Sequence, residues 1–137
     1  STPGLIPAEL QAFARQAIQL ALAEPGRLEA VLGEWLTEPK PSVWFQPEGS
    51  AAALQGVSLS QGVQLDARTR MMYDTRHIFI NGESFLTAGR DARLMRELSD
   101  HRRLSAQQVA ALGLQAREQL QAWADAGWLH GCLEKQP

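Results

Sequence analysis

The sequence predicts an α+β chain in which a helical hairpin precedes a small antiparallel sheet surrounded by three shorter helices. Three observations carry this reading. Apolar residues recur in three- and four-residue steps over residues 7–24, the period changes to two over residues 63–86, and Asn81-Gly82 sits between two runs of strand formers.

The first helix is marked by Leu10, Phe13, Ala14, Ala17, Ile18, Ala21 and Leu22, which fall on one wide stripe. Pro7 suits the first turn, where its missing N–H costs no hydrogen bond, and Pro25-Gly26 ends the helix. A second helix over residues 27–36 places Leu28, Val31, Leu32 and Trp35 on one side. Two such helices joined by a tight break form an αα-hairpin. Phe13, Ile18, Leu22, Leu32 and Trp35 then need cover: each other, the following domain, or a second copy of the chain. Burying such side chains is worth ~1.5–3 kcal/mol each, so a wet stripe is costly.

Residues 41–62 read as a connecting arm. Thr37-Glu38-Pro39-Lys40-Pro41 excludes helix, because each proline pushes the residue before it into extended geometry. Pro47, Gly49 and Gly56 continue the break, with a short extended piece at residues 43–45 and one helical turn at residues 51–54. The organisation is thus residues 1–40 helical, 41–62 arm, and 63–137 a compact domain.

In that domain Val63 and Leu65 alternate with polar neighbours, and residues 70–73 and 77–80 are rich in strand formers. Asn81-Gly82 demands a type I′ turn, so His77–Ile80 and Glu83–Leu86 pair across it. A helix over residues 90–100 turns Leu94, Met95 and Leu98 to one face. Ser105 with Gln108 is a capping box for a short helix that Gly113 ends. A third helix over residues 114–126 carries Leu120, Trp123 and Ala124 inward and is closed by Gly127, before a final strand at residues 128–133. Three short helices around a small sheet make a winged-helix-like arrangement.

Composition is that of an ordinary globular protein, with 45% hydrophobic and 20% charged residues. No run approaches the ~18 consecutive apolar residues of a membrane-spanning helix, and no cationic, apolar leader opens the chain. One cysteine, Cys132, excludes an internal disulfide, reads as a packing residue and fits a cytoplasmic location. The net charge of −2 is uneven: −3 over residues 1–64, +2 over 65–103 and −1 over 104–137. A centre this weakly basic is a poor footprint for nucleic acid.

Catalytic patterns are missing from the sequence. His77, His101 and His130 show neither His-x-carboxylate nor four-residue helical spacing, and a lone cysteine makes no zinc cluster. There is no G-x-S-x-G elbow and no phosphate-cradling glycine loop. The reading therefore assigns no catalytic, cofactor-binding or metal-ligating residue. Arg90, Arg93 and Arg96 recur along one helical face, with Arg102 and Arg103 beyond them. In a winged helix that binds nucleic acid such residues grip phosphates. Asp91, Glu97 and Asp100 balance them, so a solvated face is favoured. Arg68, Arg70 and Arg76 form a second basic group beside Asp66 and Asp74.

Two strings resemble a known family. Leu32-Gly33-Glu34-Trp35-Leu36-Thr37-Glu38-Pro39-Lys40-Pro41 resembles the end of the dimerisation helices of bacterial cupin-type JmjC ribosomal oxygenases. These iron- and 2-oxoglutarate-dependent enzymes hydroxylate an arginine of a large-subunit ribosomal protein. His77-Ile78-Phe79-Ile80-Asn81-Gly82-Glu83 resembles the hairpin opening that family's winged-helix domain. The family holds iron with a His-x-Asp/Glu pair and a distant His on a cupin barrel, and this sequence has neither pair nor barrel. No catalytic residue carries over. The resemblance implies a non-catalytic C-terminal fragment, a dimerisation and accessory module whose parent supplies Fe(II), 2-oxoglutarate and the cupin domain. It also implies a homodimer and a ribosomal-protein substrate met through the full-length enzyme, with Phe13, Ile18, Leu22, Leu32 and Trp35 at the dimer interface. The alternative is a free-standing winged-helix module that binds nucleic acid or protein, using Arg90, Arg93, Arg102 or Arg103.

Overall fold

The computed structural model describes residues 2–45 and 58–132. Helix α1 spans Ala8–Ala23 and α2 spans Arg27–Thr37, joined by a break in which Gly26 has φ +80°. After a 3-10 turn at Leu59–Gln61 come β1 (Gly62–Leu65), β2 (Met71–Tyr73), β3 (His77–Ile80) and β4 (Glu83–Leu86). Helix α3 (Gly89–His101), β5 (Arg103–Ser105), α4 (Ala106–Ala111), α5 (Leu114–Asp125) and β6 (Leu129–Gly131) complete the order.

The strands form two three-stranded antiparallel sheets, β5-β1-β6 and β2-β3-β4. Asn81 (φ 47°) and Gly82 (φ 90°) make the expected turn with both residues left-handed, so Ile80 faces Glu83 and Ile78 faces Phe85. Strand β1 lies centrally in the other sheet, Val63 opposite Leu104 on one side and Gly131 on the other. Strand β5 has no counterpart in the sequence reading, since three residues between two helices show no alternation to detect. The extended piece expected at residues 43–45 joins no sheet. Instead Val43 N–H closes a turn onto the Lys40 carbonyl, 2.9 Å away. The helical turn expected at residues 51–54, and the end of the final strand at Leu133, lie outside the described residues.

Among the described residues one core fills the space between the sheets and α3, α4 and α5, with Val63, Ile78, Ile80, Leu98, Leu104, Leu120 and Leu129 at its centre. The capping box at Ser105 and Gln108 is present in both directions, 3.1 and 2.9 Å. Helix α4 stops just before Gly113, as expected, but not through a glycine cap. Leu112 is the C-cap, and Gly113, with φ −69°, is the N-cap of α5 and donates to Asp91 Oδ1 at 3.1 Å. The reason is that its backbone is extended rather than left-handed, so no glycine cap motif forms.

Helix α2 packs on the outer face of β2-β3-β4, opposite the core. It does so through its small residues and not through its apolar stripe. Gly33 is buried against the ring of Phe79, so closely that an added Cβ would overlap the ring. Thr37 is fully buried; its hydroxyl donates to the Gly33 carbonyl at 2.8 Å and accepts from Gly82 N–H at 2.9 Å. Ser84 Oγ donates to Glu34 at 2.9 Å. Leu28, Val31, Leu32 and Trp35 therefore face outward.

Gly33→Ala should lower stability by about 1–3 kcal/mol, because overpacking against Phe79 outweighs alanine's better helix propensity. Urea unfolding followed by helical signal checks this. A variant as stable as the parent would mean that α2 does not sit on Phe79.

Candidate functional site

The outward surface of α1 and α2 is the most conspicuous feature of the molecule. Helix α1 has no buried residue at all, although Leu10, Phe13, Ile18 and Leu22 recur at helical spacing. Phe13 is 69% exposed and Trp35 is 70% exposed; Ile18, Leu22 and Leu32 each leave half or more of their surface in water. All five residues expected to self-associate thus lie on two helices joined by a three-residue break, none of them in the domain core. Large apolar side chains left exposed on two consecutive helices mark an interaction site.

The arginines separate into different roles. Arg90 and Arg93 are exposed on α3, and Arg103 is exposed on the edge strand β5. Arg102 is half-buried in a left-handed C-cap conformation (φ 63°). Its guanidinium donates to the carbonyls of Asp66 at 2.8 Å and Thr69 at 3.1 Å. Its guanidinium therefore holds the β1–β2 connection, whereas Arg90 and Arg93 lie on α3 and Arg103 on β5. Arg96 lies over the Tyr73 ring, 5.9 Å from its centroid.

Sequence reasoning missed the polar node at Asp66. This buried carboxylate accepts from Arg68 Nε at 2.9 Å and Nη2 at 3.1 Å, and lies 2.8 Å from His130 Nε2 on β6. The guanidinium of Arg68 also reaches the Trp44 carbonyl and lies over Phe45, which packs edge-on against Trp128. Thr69 Oγ1 donates to the Trp128 carbonyl at 2.6 Å. The node ties the start of the arm, the β1–β2 connection and the last strand together. The paired Arg68 guanidinium and then His130 hold the Asp66 carboxyl well below the usual carboxylate range, against the opposing effect of burial. Its only sequence signal was Asp66 two residues before Arg68; the partner 64 residues away carried none.

The other histidines also face carboxylates: His77 Nδ1 lies 3.1 Å from Asp74, and His101 Nε2 lies 3.3 Å from Glu97. The three histidines occupy separate places, and among the described residues no three His, Cys, Asp or Glu side chains converge in a way that could hold a metal. None of the described helices is long and apolar enough to cross a membrane.

Because Asp66 titrates below its ordinary value of 3.8 when folded, its contribution to stability is complete above that value and is lost as pH falls beneath it. Asp66→Asn should cost about 1–3 kcal/mol near neutral pH. Thermal unfolding from neutral to about pH 3 should show the parent losing stability more steeply than the variant in the acid limb; parallel curves would contradict the assignment.

Comparison with known proteins points the same way as the fold. A family model described as ROXA-like winged helix matches residues 16–130. Among solved structures, Escherichia coli YcfD superposes with a TM-score of 0.59 at 14% identity, covering 93% of this chain and 35% of that one. The same Escherichia coli protein, described as a ribosomal oxygenase in complex with cobalt and succinic acid, gives 0.57 at 16% identity over 94% of this chain and 39% of that one. Its complex with cobalt and 2-oxoglutarate gives 0.54 at 16% identity over 93% and 36%. This chain thus spans little more than a third of the length of the structures it matches. No curated protein matches it by sequence.

Proposed function

The chain belongs to the ROXA-like winged helix family, and on that premise we propose that it is the self-association and accessory module of a ribosomal oxygenase. Two copies pair through α1 and α2, and the winged-helix body supports the architecture of the whole enzyme. The observation that carries this reading is the exposure of Phe13, Ile18, Leu22, Leu32 and Trp35 on α1 and α2, beside a body whose core cluster contains none of them. Covering those side chains with the same surface of a second copy removes them from water at ~1.5–3 kcal/mol for each one fully buried, and a two-fold arrangement lets one patch serve both partners.

The cobalt, succinate and 2-oxoglutarate of the solved relatives suggest that the parent enzyme is an iron- and 2-oxoglutarate-dependent hydroxylase acting on a ribosomal protein in the cytoplasm. The residues described here do not fit such a metal, since no three candidate ligands converge. No chemical step is assigned to them, and the oxidation belongs to a separate catalytic domain. Protein contact is favoured over nucleic acid because Arg102 is committed to backbone carbonyls, and Arg90 and Arg93 on α3 and Arg103 on β5 belong to a chain of net charge −2.

Sedimentation velocity of the chain at micromolar concentration should show a reversible dimer. Phe13→Asp or Trp35→Asp should weaken it by about tenfold or more, as expected for an aromatic anchor at an interface, with the fold unchanged by circular dichroism. A monomer at all concentrations, or a dimer indifferent to both substitutions, would contradict the proposal.

A further inference from the structure

We propose that the groove between β4 and α5 is a docking site for an extended, basic peptide segment that lies beside β4. This does not rest on the self-association reading, because the groove is on the core side of β2-β3-β4 and α1 and α2 contribute no residue to its lining. The cavity is about 640 Å³, with Phe85 and Leu86 on the strand side, Asp91 at the start of α3, and Glu118, Gln119 and Trp123 on α5.

Three independent features define the occupant. The first is an unmet donor. Trp123 is 2% exposed, its indole packs edge-on against Phe85 with centroids 5.7 Å apart, and its buried Nε1–H has no acceptor among the described residues. A buried donor left this way is unfavourable, and the residue that carries it forms part of the groove wall, so a small shift of the ring on binding lets a peptide carbonyl satisfy it. The second is a strand edge. In the sheet order β2-β3-β4, strand β4 pairs only with β3 among the described residues. Across a two-residue turn Ile80–Glu83 and Ile78–Phe85 are the hydrogen-bonded pairs, so the backbone groups of Ser84 and Leu86 point away from β3. An edge presented in this way pairs with an added strand, and the flanking hollow receives its alternate side chains. Leu86, 71% exposed, supplies an apolar contact at the rim.

The third feature is charge. Among the described residues, Asp91 and Glu118 are the only ionisable ones of the lining, and no lysine, arginine or histidine joins them. Asp91 is held in position by the Gly113 N–H. The basic residue of α5, Arg117, lines a different hollow with Ser58 and Leu120. The groove is therefore negative, and complementarity selects a segment whose inward side chains are lysine or arginine.

The test uses the isotopically labelled chain and an alternating Lys-Val octapeptide, with the matching Glu-Val octapeptide as control. The Trp123 indole resonance is assigned by its loss in Trp123→Phe. The basic peptide should bind saturably, shift the Trp123 indole N–H and the amides of Ser84 and Leu86, and leave the indole of Trp35 on α2 unmoved. Glu118→Lys, an exposed substitution, should weaken binding about tenfold. The proposal is overturned if those resonances stay still at saturating peptide, if the Glu-Val control binds equally well, or if only Trp35 moves.

Discussion

The rotation of α2 about its own axis determines what the N-terminal half of the molecule presents to its surroundings. Gly33 lies against Phe79, and Thr37 four residues later joins the helix end to the Asn81-Gly82 turn through the Gly82 N–H. Only a residue without a side chain permits that approach, and a glycine inside a helix costs ~1 kcal/mol relative to alanine. The burial of Phe79, 2% exposed, offsets that cost. Once the small face is turned inward, Leu28, Val31, Leu32 and Trp35 have to face out. Helix α1, tied to α2 by three residues, leaves Phe13, Ile18 and Leu22 exposed as well.

The winged-helix body is held by different means. Its apolar core needs nothing from α1 or α2, and its two sheets meet through α3, α4 and α5. One polar cluster sits where the chain crosses from one sheet to the other. Asp66, Arg68, Thr69, Arg102 and His130 satisfy one another and the local carbonyls at the β1–β2 connection. Arg102 takes a left-handed backbone conformation that non-glycine residues seldom adopt, and its two carbonyl contacts help hold it there.

Much of this arrangement was legible from local signals. Asn81-Gly82 specified the hairpin and its register, Ser105 with Gln108 specified the start of α4, and the α1 stripe identified a surface in need of cover. These are effects of residues within one turn or one helix. What was not legible depends on distance along the chain. The short β5 pairs with β1 some forty residues earlier, His130 meets Asp66 across 64, and Arg102 turns inward to a loop 36 residues back. The orientation of α2 was missed for another reason. Reading a helix by its apolar side chains assumes that the larger ones face the core, whereas here Gly33 and Thr37 do so and the larger ones face away.

The polarity of the molecule follows from these two halves: a body with a finished core, and a helical pair whose apolar side is left over. Hydrogen–deuterium exchange measured well above and well below micromolar concentration tests that division most directly. The account predicts protection that grows with concentration across residues 8–37 and stays constant across residues 62–131. Protection that does not respond to concentration, or a response centred on the body instead of the helices, would contradict it.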